Sequence, residues 1–493
     1  MLGLGLGIGV AQTAPLRRYS IGGKAPAVVA DYSSGTYGLN GTPVGFEGPF
    51  SFSRLSAAWK LNALGHWVKA LAGEPRTGHH IWQGGALVPA GVAVCSEVRT
   101  NLLLNSDSLS TQVVAVTAEE HTLSYTGTGT VTLSGAATDG PLIGVGSGEE
   151  SRVNLSFTPS AGSLTPSAGS LTLTVSGDVQ NAQLETGPYA TDYISTQGAQ
   201  ASTAAESLQI DPVVMANEVG TLGAELLDNT GFADWTSPDA PDEWSKTGTH
   251  NANNFVEQHG NGIRIVSDGA FTGITQNTGI SGPKLVGIEV VSVSGNGVVV
   301  QFDGQSFFCQ QPGTTYFVTT DPSPILILKR LSGPVDAVIR FVTAQEATMP
   351  EAMTIVMNGT MTRAKEPEIP GNAIPFRWRL GDDDFIDLLV STAGAHTGKP
   401  GFRSKVGGFL TELFGADDAL SLGPEDAFSL ALVLDATHIE GFYNGVSTGQ
   451  VAHGGMADLL SAPVQIFPVG NATLKDIRLW SEALPAADLL QTA

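Results

Sequence analysis

Acidic side chains that could serve hydrolysis or metal binding cluster late in the chain. They occur at Asp382, Asp383 and Asp384, at 417–418 and at 425–426. Retaining glycanases need two carboxylates about 5 Å apart, and the E-x-D-x-x-E type of signature that supplies them is missing here. Glycine and proline flank the clusters, so we expect solvated loops, with Ca²⁺ capture by Asp382 to Asp384 as the alternative. No other cofactor is expected.

Nucleophile and zinc signatures are also missing. Hydroxyl side chains are abundant, but no G-x-S-x-G elbow with a histidine partner accompanies them. His79 and His80 have no cysteine or carboxylate at ligand spacing, which favours a solvated turn over a metal site. Cys95 and Cys309 are too few for a disulfide framework or a zinc site. We expect no catalytic residue and therefore a protein that is not an enzyme.

Aromatic and turn residues are the stronger candidates, and they suggest ligand binding. The rings of Trp235 and Trp244 offer flat faces on which a sugar can stack, although burial in a core is the alternative for both. Tyr443 and Asn444, in a Tyr-Asn-Gly turn, are further ligand-binding candidates.

The length and composition of the chain predict which kind of secondary structure positions these residues. A chain of 493 residues exceeds one core and predicts two to four domains. Its 61 glycines and 14% charged residues are typical of many strands joined by tight turns. The net charge of −23 disfavours binding to nucleic acid or anionic lipid. Because no apolar run reaches about 20 residues, no membrane insertion is expected.

The N-terminal hundred residues have an unusual pattern. Apolar residues alternate there with glycine, which places them on one face of an extended strand: Leu2, Leu4, Leu6 and Ile8. Such a strand can dock on another protein, whereas a mobile terminus is the alternative. Three tryptophans follow within 50–100, and they predict either a collar between subunits or a small cluster within one chain.

From residue 101 onward the pattern is that of antiparallel strands. Polar and apolar residues alternate over 122–135, 152–160 and 170–187, with Gly, Ser and Asp turns between these segments. A tandem heptapeptide, TPSAGSL, occupies 158–171 and is too short for an architectural repeat, so it indicates a loop or hairpin extension. Short strand-like runs continue from about 262 to 346 and fit a further sandwich.

One ordered pair of segments resembles bacteriophage fibre and spike proteins. The run Arg99-Thr100-Asn101-Leu102-Leu103 follows the stretch FSFSRLSAAWKLNALGHWVKALAGEPR, and the string QLETGPYATDYISTQG follows at 183–198. The resemblance implies a virion protein whose N-terminal segment attaches to other virion proteins. A homotrimer that meets host surface glycans is the assembly it implies.

Two later segments carry resemblances of their own. ELLDNTGFADWTSPDAPDEWSKTG is similar to the opening of carbohydrate-binding jelly rolls, matched at Asn229, Gly231, Phe232, Trp235 and Trp244. FSLALVLDATHIEGFYNGVSTG and the closing VQIFPVGNATLKDIRLWSEALPAADLLQ resemble concanavalin A-like or laminin-G-like domains. The strand-like segment 204–210 resembles a strand of that last domain, which makes 211–350 a candidate insertion into it.

These observations together predict a mainly β protein with an irregular N-terminal anchor and about three antiparallel, jelly-roll-like β-sandwiches. The expected divisions are 1–98, 99–210, 211–350 and 351–493. The expected function is a fibre or spike on a phage virion that adheres to host glycans. A purely architectural virion protein and a glycan depolymerase are the alternatives.

Overall fold

The computed structural model describes residues 16–160, 169–238, 240–361, 372–391, 398–416 and 426–490. Their regular structure is almost entirely antiparallel β-sheet, which confirms the predicted mainly β fold. Short helical turns occur at Leu16–Tyr19, Glu149–Ser151, Pro212–Val214, Met215–Val219 and Ala486–Leu489. Some predicted features lie outside the described residues: Leu2, Leu4, Leu6 and Ile8, the acidic pair 417–418, and 161–168 of the tandem heptapeptide.

Strands from both ends of the chain form one main sandwich. Its larger sheet contains β1 (Val28–Asp31), β2 (Thr36–Leu39), β3 (Thr42–Val44), β7 (Arg76–Gln83), β8 (Ala86–Cys95), β30 (Met353–Met361), β35 (Asp426–Leu434), β36 (His438–Tyr443), β37 (Val446–Ala452) and β39 (Asn471–Trp480). Val28 lies opposite Leu479 in antiparallel register, and β8 also pairs with β39. The sequence predicts that residues 28–95 belong to an N-terminal anchoring segment. In the structure, strands from this segment form part of the main sandwich.

The facing sheet likewise draws on distant parts of the chain. It contains β4 (Phe50–Ser53), β18 (Ser207–Ile210), β31 (Asn372–Arg379), β32 (Phe385–Ser391), β33 (Pro400–Val406), β34 (Phe409–Phe414) and β38 (Val464–Val469). Leu208 of β18 lies opposite Ile466, which confirms the predicted pairing of 204–210 with the C-terminal sheet. A separate two-stranded sheet is the hairpin of β5 (Ala58–Leu61) and β6 (Trp67–Ala70).

The first inserted sandwich lies between β8 and β18. Its strands are β9 (Arg99–Asn101), β10 (Gln112–Val116), β11 (His121–Gly127), β12 (Thr130–Gly135), β13 (Leu142–Ile143), β14 (Val153–Phe157), β15 (Gly169–Ser176), β16 (Val179–Thr186) and β17 (Ala201–Thr203). The predicted alternation is visible in β15, where Leu171 and Leu173 are buried and Thr174 is exposed. One apolar core joins its four-stranded and three-stranded sheets.

The Arg99–Leu103 run marks the entrance to this inserted sandwich. Asn101 is fully buried, and its side-chain amide donates to the carbonyls of Ala182 and Ile194 over 2.9 and 2.8 Å. Strand β9 pairs with β17, so the chain enters and leaves the sandwich side by side. The motif therefore has a structural role at the junction between sandwiches.

The second inserted sandwich lies between β18 and β30, as an insertion over 211–350 requires. Its strands are β19 (Thr221–Glu225), β20 (Ser245–Gly248), β21 (Phe255–His259), β22 (Gly262–Ser267), β23 (Thr272–Asn277), β24 (Lys284–Gly295), β25 (Val298–Gln301), β26 (Ser306–Cys309), β27 (Gly313–Thr319), β28 (Ile325–Arg330) and β29 (Val335–Thr348). Thr221 and Thr348 are paired, so the ends of this insertion are also adjacent. Most of its buried apolar residues form a core of its own.

Candidate functional site

Two tryptophans line a cleft beside the junction between the main sandwich and the first inserted sandwich. Trp67 begins β6, and Trp82 lies in β7 opposite Leu87 of β8. The hairpin β5–β6 is fixed to β7 because the backbone N–H of Leu61 donates to His79 Nδ1 over 3.1 Å. Two neighbouring hairpins thus place both indoles on one wall.

The opposite wall comes from the first inserted sandwich. It is formed by the helical turn Glu149–Ser151, by Arg152 and Asn154, and by 190–192. The cleft measures about 340 Å³, within the range of small-ligand sites. Trp67 Nε1 joins the walls at one point, since it donates to Glu149 Oε2 over 3.0 Å. The geometry is that of an open, aromatic and polar groove between two parts of the fold.

A buried ion-pair network lies beneath the cleft. Arg76 donates to both carboxylate oxygens of Glu206 over 2.9 and 2.7 Å and also binds Asp192. Arg54 donates to Glu206 over 2.6 Å. Burial opposes the charge on Arg76, but Glu206 and Asp192 hold the pKa of its guanidinium above the ordinary value. Because Asp192 belongs to the inserted sandwich, the network fixes the two walls relative to each other.

His79 is neutral at the base of this cleft. It is 3% exposed, and burial lowers its pKa to about 4, although the nearby Asp192 acts in the opposite direction. Nδ1 is the acceptor for Leu61 N–H, so the remaining proton sits on Nε2, which lies 4.0 Å from Asp192. The predicted solvated turn at His79 and His80 is wrong, because both residues lie in β7.

The indole nitrogens of the two tryptophans differ in their partners. Trp67 Nε1 is bound to Glu149, whereas Trp82 Nε1 is buried and has no hydrogen-bond partner within the described part of the chain. A buried donor without an acceptor is costly and uncommon. Trp82 Nε1 is therefore an unsatisfied donor that is closed to solvent.

The tryptophans proposed from sequence lie in the second inserted sandwich. Trp244 is 5% exposed, contacts Phe232 at 5.3 Å between ring centroids, and donates to the Asp228 carbonyl. Its burial leaves no ring face for a sugar. Trp235 is half-buried against the same core, and its Nε1 donates to the Phe232 carbonyl over 2.8 Å. Only Trp235 of the two retains an exposed surface for ligand contact.

Tyr443 and Asn444 form part of the β36–β37 hairpin. Asn444 adopts a left-handed φ of 46°. Its backbone N–H donates to the Ser429 carbonyl, and its side-chain Oδ1 accepts from Ser429 N–H. Tyr443 packs against the main core. The geometry explains the Tyr-Asn-Gly sequence as a turn requirement.

The acidic triplet is divided among different partners. Asp382 lies 3.4 Å from Arg379 and Asp383 lies 3.1 Å from Lys405, while Asp384 accepts from Gly407 N–H over 2.8 Å. Over the described ranges, no group of three or more His, Cys, Asp or Glu side chains is arranged to hold a metal ion. Ca²⁺ binding at the triplet stays a prediction.

No helix in the described ranges is long and apolar enough to cross a membrane.

Sequence reasoning missed the cleft because its walls are far apart in the chain. Trp59, Trp67 and Trp82 were signalled by their clustering, and two of them contact Tyr193 of the inserted sandwich at 6.4 and 6.2 Å between ring centroids. These contacts form an aromatic cluster within one chain. Nothing local in the sequence indicates that Glu149 and Asp192 lie beside it.

Comparisons with known proteins give weak similarities. No family model and no curated protein matches the sequence. A sialidase carbohydrate-binding module from Ruminococcus gnavus, bound to α2,6-sialyllactose, is 14% identical, with 29% of this chain and 82% of that chain covered and a TM-score of 0.23. Domain 4 of a Geobacillus stearothermophilus arabinanase, in complex with arabinotriose, is 12% identical, with 55% and 98% covered and a TM-score of 0.22. The botulinum neurotoxin type G receptor-binding domain is 11% identical, with 30% and 38% covered and a TM-score of 0.24. At these scores the similarities assign neither fold nor function.

Proposed function

We propose that this protein is an adhesin that binds a surface glycan in the cleft between the main and first inserted sandwiches. The observation that carries the proposal is the groove of about 340 Å³ lined by Trp67 and Trp82 together with polar side chains. Aromatic faces bind the C–H faces of sugar rings, and convergent polar groups orient the hydroxyls. The fixed position of the two walls reduces the ordering that binding would otherwise require.

Binding without hydrolysis is the chemistry we propose for the cleft. A retaining or inverting glycosidase needs one carboxyl that keeps its proton to act as the acid. Burial favours protonation of Asp192, but Arg76 outweighs it and holds the pKa of Asp192 below the ordinary value. Glu149 is paired with Arg152. Of the three carboxylates that line the cleft, these contacts engage two and leave only Glu150 unpaired within the described residues. A glycosidase needs a pair of working carboxyls, so the arrangement favours a binding site over a depolymerase.

The biological setting that we propose is a bacteriophage virion. The support is the resemblance of 99–103 and 183–198 to phage fibre and spike proteins, together with a fold built of rigid sandwiches. The protein would be attached through its N-terminal segment, as a homotrimer, and several copies on one particle would raise the avidity of weak sites. A purely architectural virion protein is the competing proposal.

A glycan array with the intact protein tests adhesion. Wild type, Trp82→Ala and Trp235→Ala are compared, with Phe308→Ala as the control because Phe308 is an aromatic residue that is 61% exposed away from the cleft. We expect Trp82→Ala to abolish binding and the other two variants to retain it. Loss of binding in Trp235→Ala alone would move the site to the second inserted sandwich. An array without any bound glycan would favour the architectural alternative.

Location on the particle is tested separately. Antibody against this protein is applied to purified particles and viewed by electron microscopy, in wild type and in a variant that lacks residues 2–15. We expect labelled particles in wild type and loss of label in the deletion. Unlabelled wild-type particles would contradict the virion proposal and leave glycan binding to be judged by the array.

A further inference from the structure

We propose that the ligand of the cleft is an amino sugar with a free ammonium group, such as a de-N-acetylated hexosamine. This inference rests on the proposed glycan-binding function of the same cleft. It concerns the charge of the ligand, which the aromatic residues alone do not determine.

Arg152 at the cleft and Arg76 beneath it are both already engaged by anions. Arg152 pairs with Glu149 and donates to Ser124 Oγ over 3.0 Å. Arg76, beneath the cleft, is shared between Glu206 and Asp192. An acidic sugar would have to displace one of these partners, at the cost of leaving a carboxylate unpaired. The cleft therefore disfavours a uronic or sialic acid.

His79 provides no substitute for a free cation. His79 is neutral and accepts a hydrogen bond through Nδ1. His80 Nδ1 lies 3.0 Å from the Gly78 carbonyl, and the tautomer that donates there leaves Nε2 as an acceptor. An acceptor of this kind suits an ammonium or hydroxyl group.

An anion and two aromatic rings remain for a positively charged ligand. Glu150 lines the cleft and is exposed, and no cation pairs with it among the residues that the structure describes. The faces of Trp67 and Trp82 attract cations through the negative potential of the indole ring. A sugar ring that stacks on an indole and carries an ammonium group can satisfy both features at once. The overall charge of −23 acts in the same direction.

Isothermal titration of the intact protein with three trisaccharides tests the inference. The ligands are a glucosamine trimer, an N-acetylglucosamine trimer and a galacturonate trimer, which differ in charge at similar size. We expect the glucosamine trimer to bind about fivefold more tightly than the N-acetylated trimer, and the galacturonate trimer to bind most weakly. The preference should shrink at high salt because the interaction is electrostatic.

Two variants separate recognition in the cleft from general attraction of a cation to an acidic protein. Glu150→Gln should remove most of the fivefold preference, while Glu119→Gln, an exposed glutamate of the same sandwich, should keep it. Trp82→Ala should abolish binding of the glucosamine trimer. Binding that survives Trp82→Ala, or a preference that survives Glu150→Gln, would overturn the inference.

The results also distinguish this inference from the proposed function. Equal or tighter binding of the N-acetylated or the acidic trimer overturns the charge assignment and supports glycan binding by the protein. Failure of all three trimers to bind overturns the inference as well. In that case, the glycan array decides whether the cleft binds any glycan.

Discussion

Trp67 donates its indole N–H to Glu149 Oε2 over 3.0 Å, and this contact joins a hairpin of the main sandwich to the first inserted sandwich. The two residues are on opposite walls of the cleft. Neither sandwich alone contains the site, so any recognition there depends on how firmly the insertion is held. The buried network of Arg54, Arg76, Glu206 and Asp192 supplies that rigidity.

We expect Glu206→Gln to destabilise the protein strongly. Arg54 and Arg76 are 3% and 2% exposed, and the substitution leaves both guanidiniums without their shared carboxylate. Loss of one partner from a buried ion pair costs roughly 3–5 kcal/mol in the free energy of unfolding. Urea unfolding measures the change. Asp382→Asn, which removes an exposed carboxylate, is the control and should leave the midpoint unchanged. A similar midpoint for both variants would show that the network adds little.

A matched pair of substitutions should separate the two indoles. Trp67→Phe removes a hydrogen bond to a carboxylate and should cost roughly 1–3 kcal/mol in the free energy of unfolding. Trp82→Phe removes a buried donor that has no partner in the described structure, so its cost should be smaller. Both variants lose the same ring volume, which makes each the control for the other. Thermal unfolding of the two proteins in one buffer gives the comparison, and a larger loss for Trp82→Phe would contradict it.

The positions of many strands could be predicted from the sequence, but most pairings between strands far apart in the chain could not. Alternation in segments such as Leu171–Thr174 identifies strands because side chains in a strand alternate between core and solvent. The pairing of 204–210 with the last domain was also predictable from resemblance. By contrast, Val28 and Leu479 are paired across more than nine-tenths of the chain. No local pattern encodes such a pairing.

The cleft illustrates the same limit. The tryptophans of 50–100 were visible as a cluster, but their partners Glu149 and Asp192 are brought to them by the folding of an insertion. Trp244 was a candidate from sequence because it follows a family-like phrase, and its burial shows that the phrase describes a core. The motif residue Trp244 is thus a core residue, whereas the candidate site is formed by residues outside the motifs.

Acid should weaken the fold through His79. Its pKa is about 4 in the folded protein, compared with about 6.5 for an unfolded histidine. Between these values His79 is protonated in the unfolded chain but neutral in the folded protein. The free energy of unfolding therefore falls as pH decreases from about 6.5 to 4. The loss from His79 alone is about 3 kcal/mol. Unfolding free energies measured across this range give the slope.

The histidine contribution is isolated by substitution. His79→Asn keeps an acceptor for Leu61 N–H and should flatten the slope between pH 6.5 and 4. His66→Asn, at an exposed position, should leave the slope as in wild type. Burial also lowers the pKa of His121, so part of the slope remains in both variants. An unchanged slope in His79→Asn would show that His79 is protonated in the folded state.

Removal of each inserted sandwich should have opposite effects on glycan binding. The second insertion begins and ends at the paired residues Thr221 and Thr348, so a short Gly-Ser linker can replace 222–347. Leu285, Val318 and Ala347 contribute to the main core, and their loss should lower stability moderately. The cleft keeps both walls, so binding should be retained.

The first insertion can be removed in the same way, because Arg99 and Thr203 are paired at its base. Replacement of 100–202 by a short turn removes Glu149, Glu150 and Asp192 from the cleft while Trp67 and Trp82 remain. Binding should be abolished even though the main sandwich keeps both of its sheets. Titration of the two deletion variants against the same glycan decides the matter. If the second deletion abolishes binding and the first does not, recognition belongs to the sandwich that contains Trp235, because that is the part of the chain the second deletion removes.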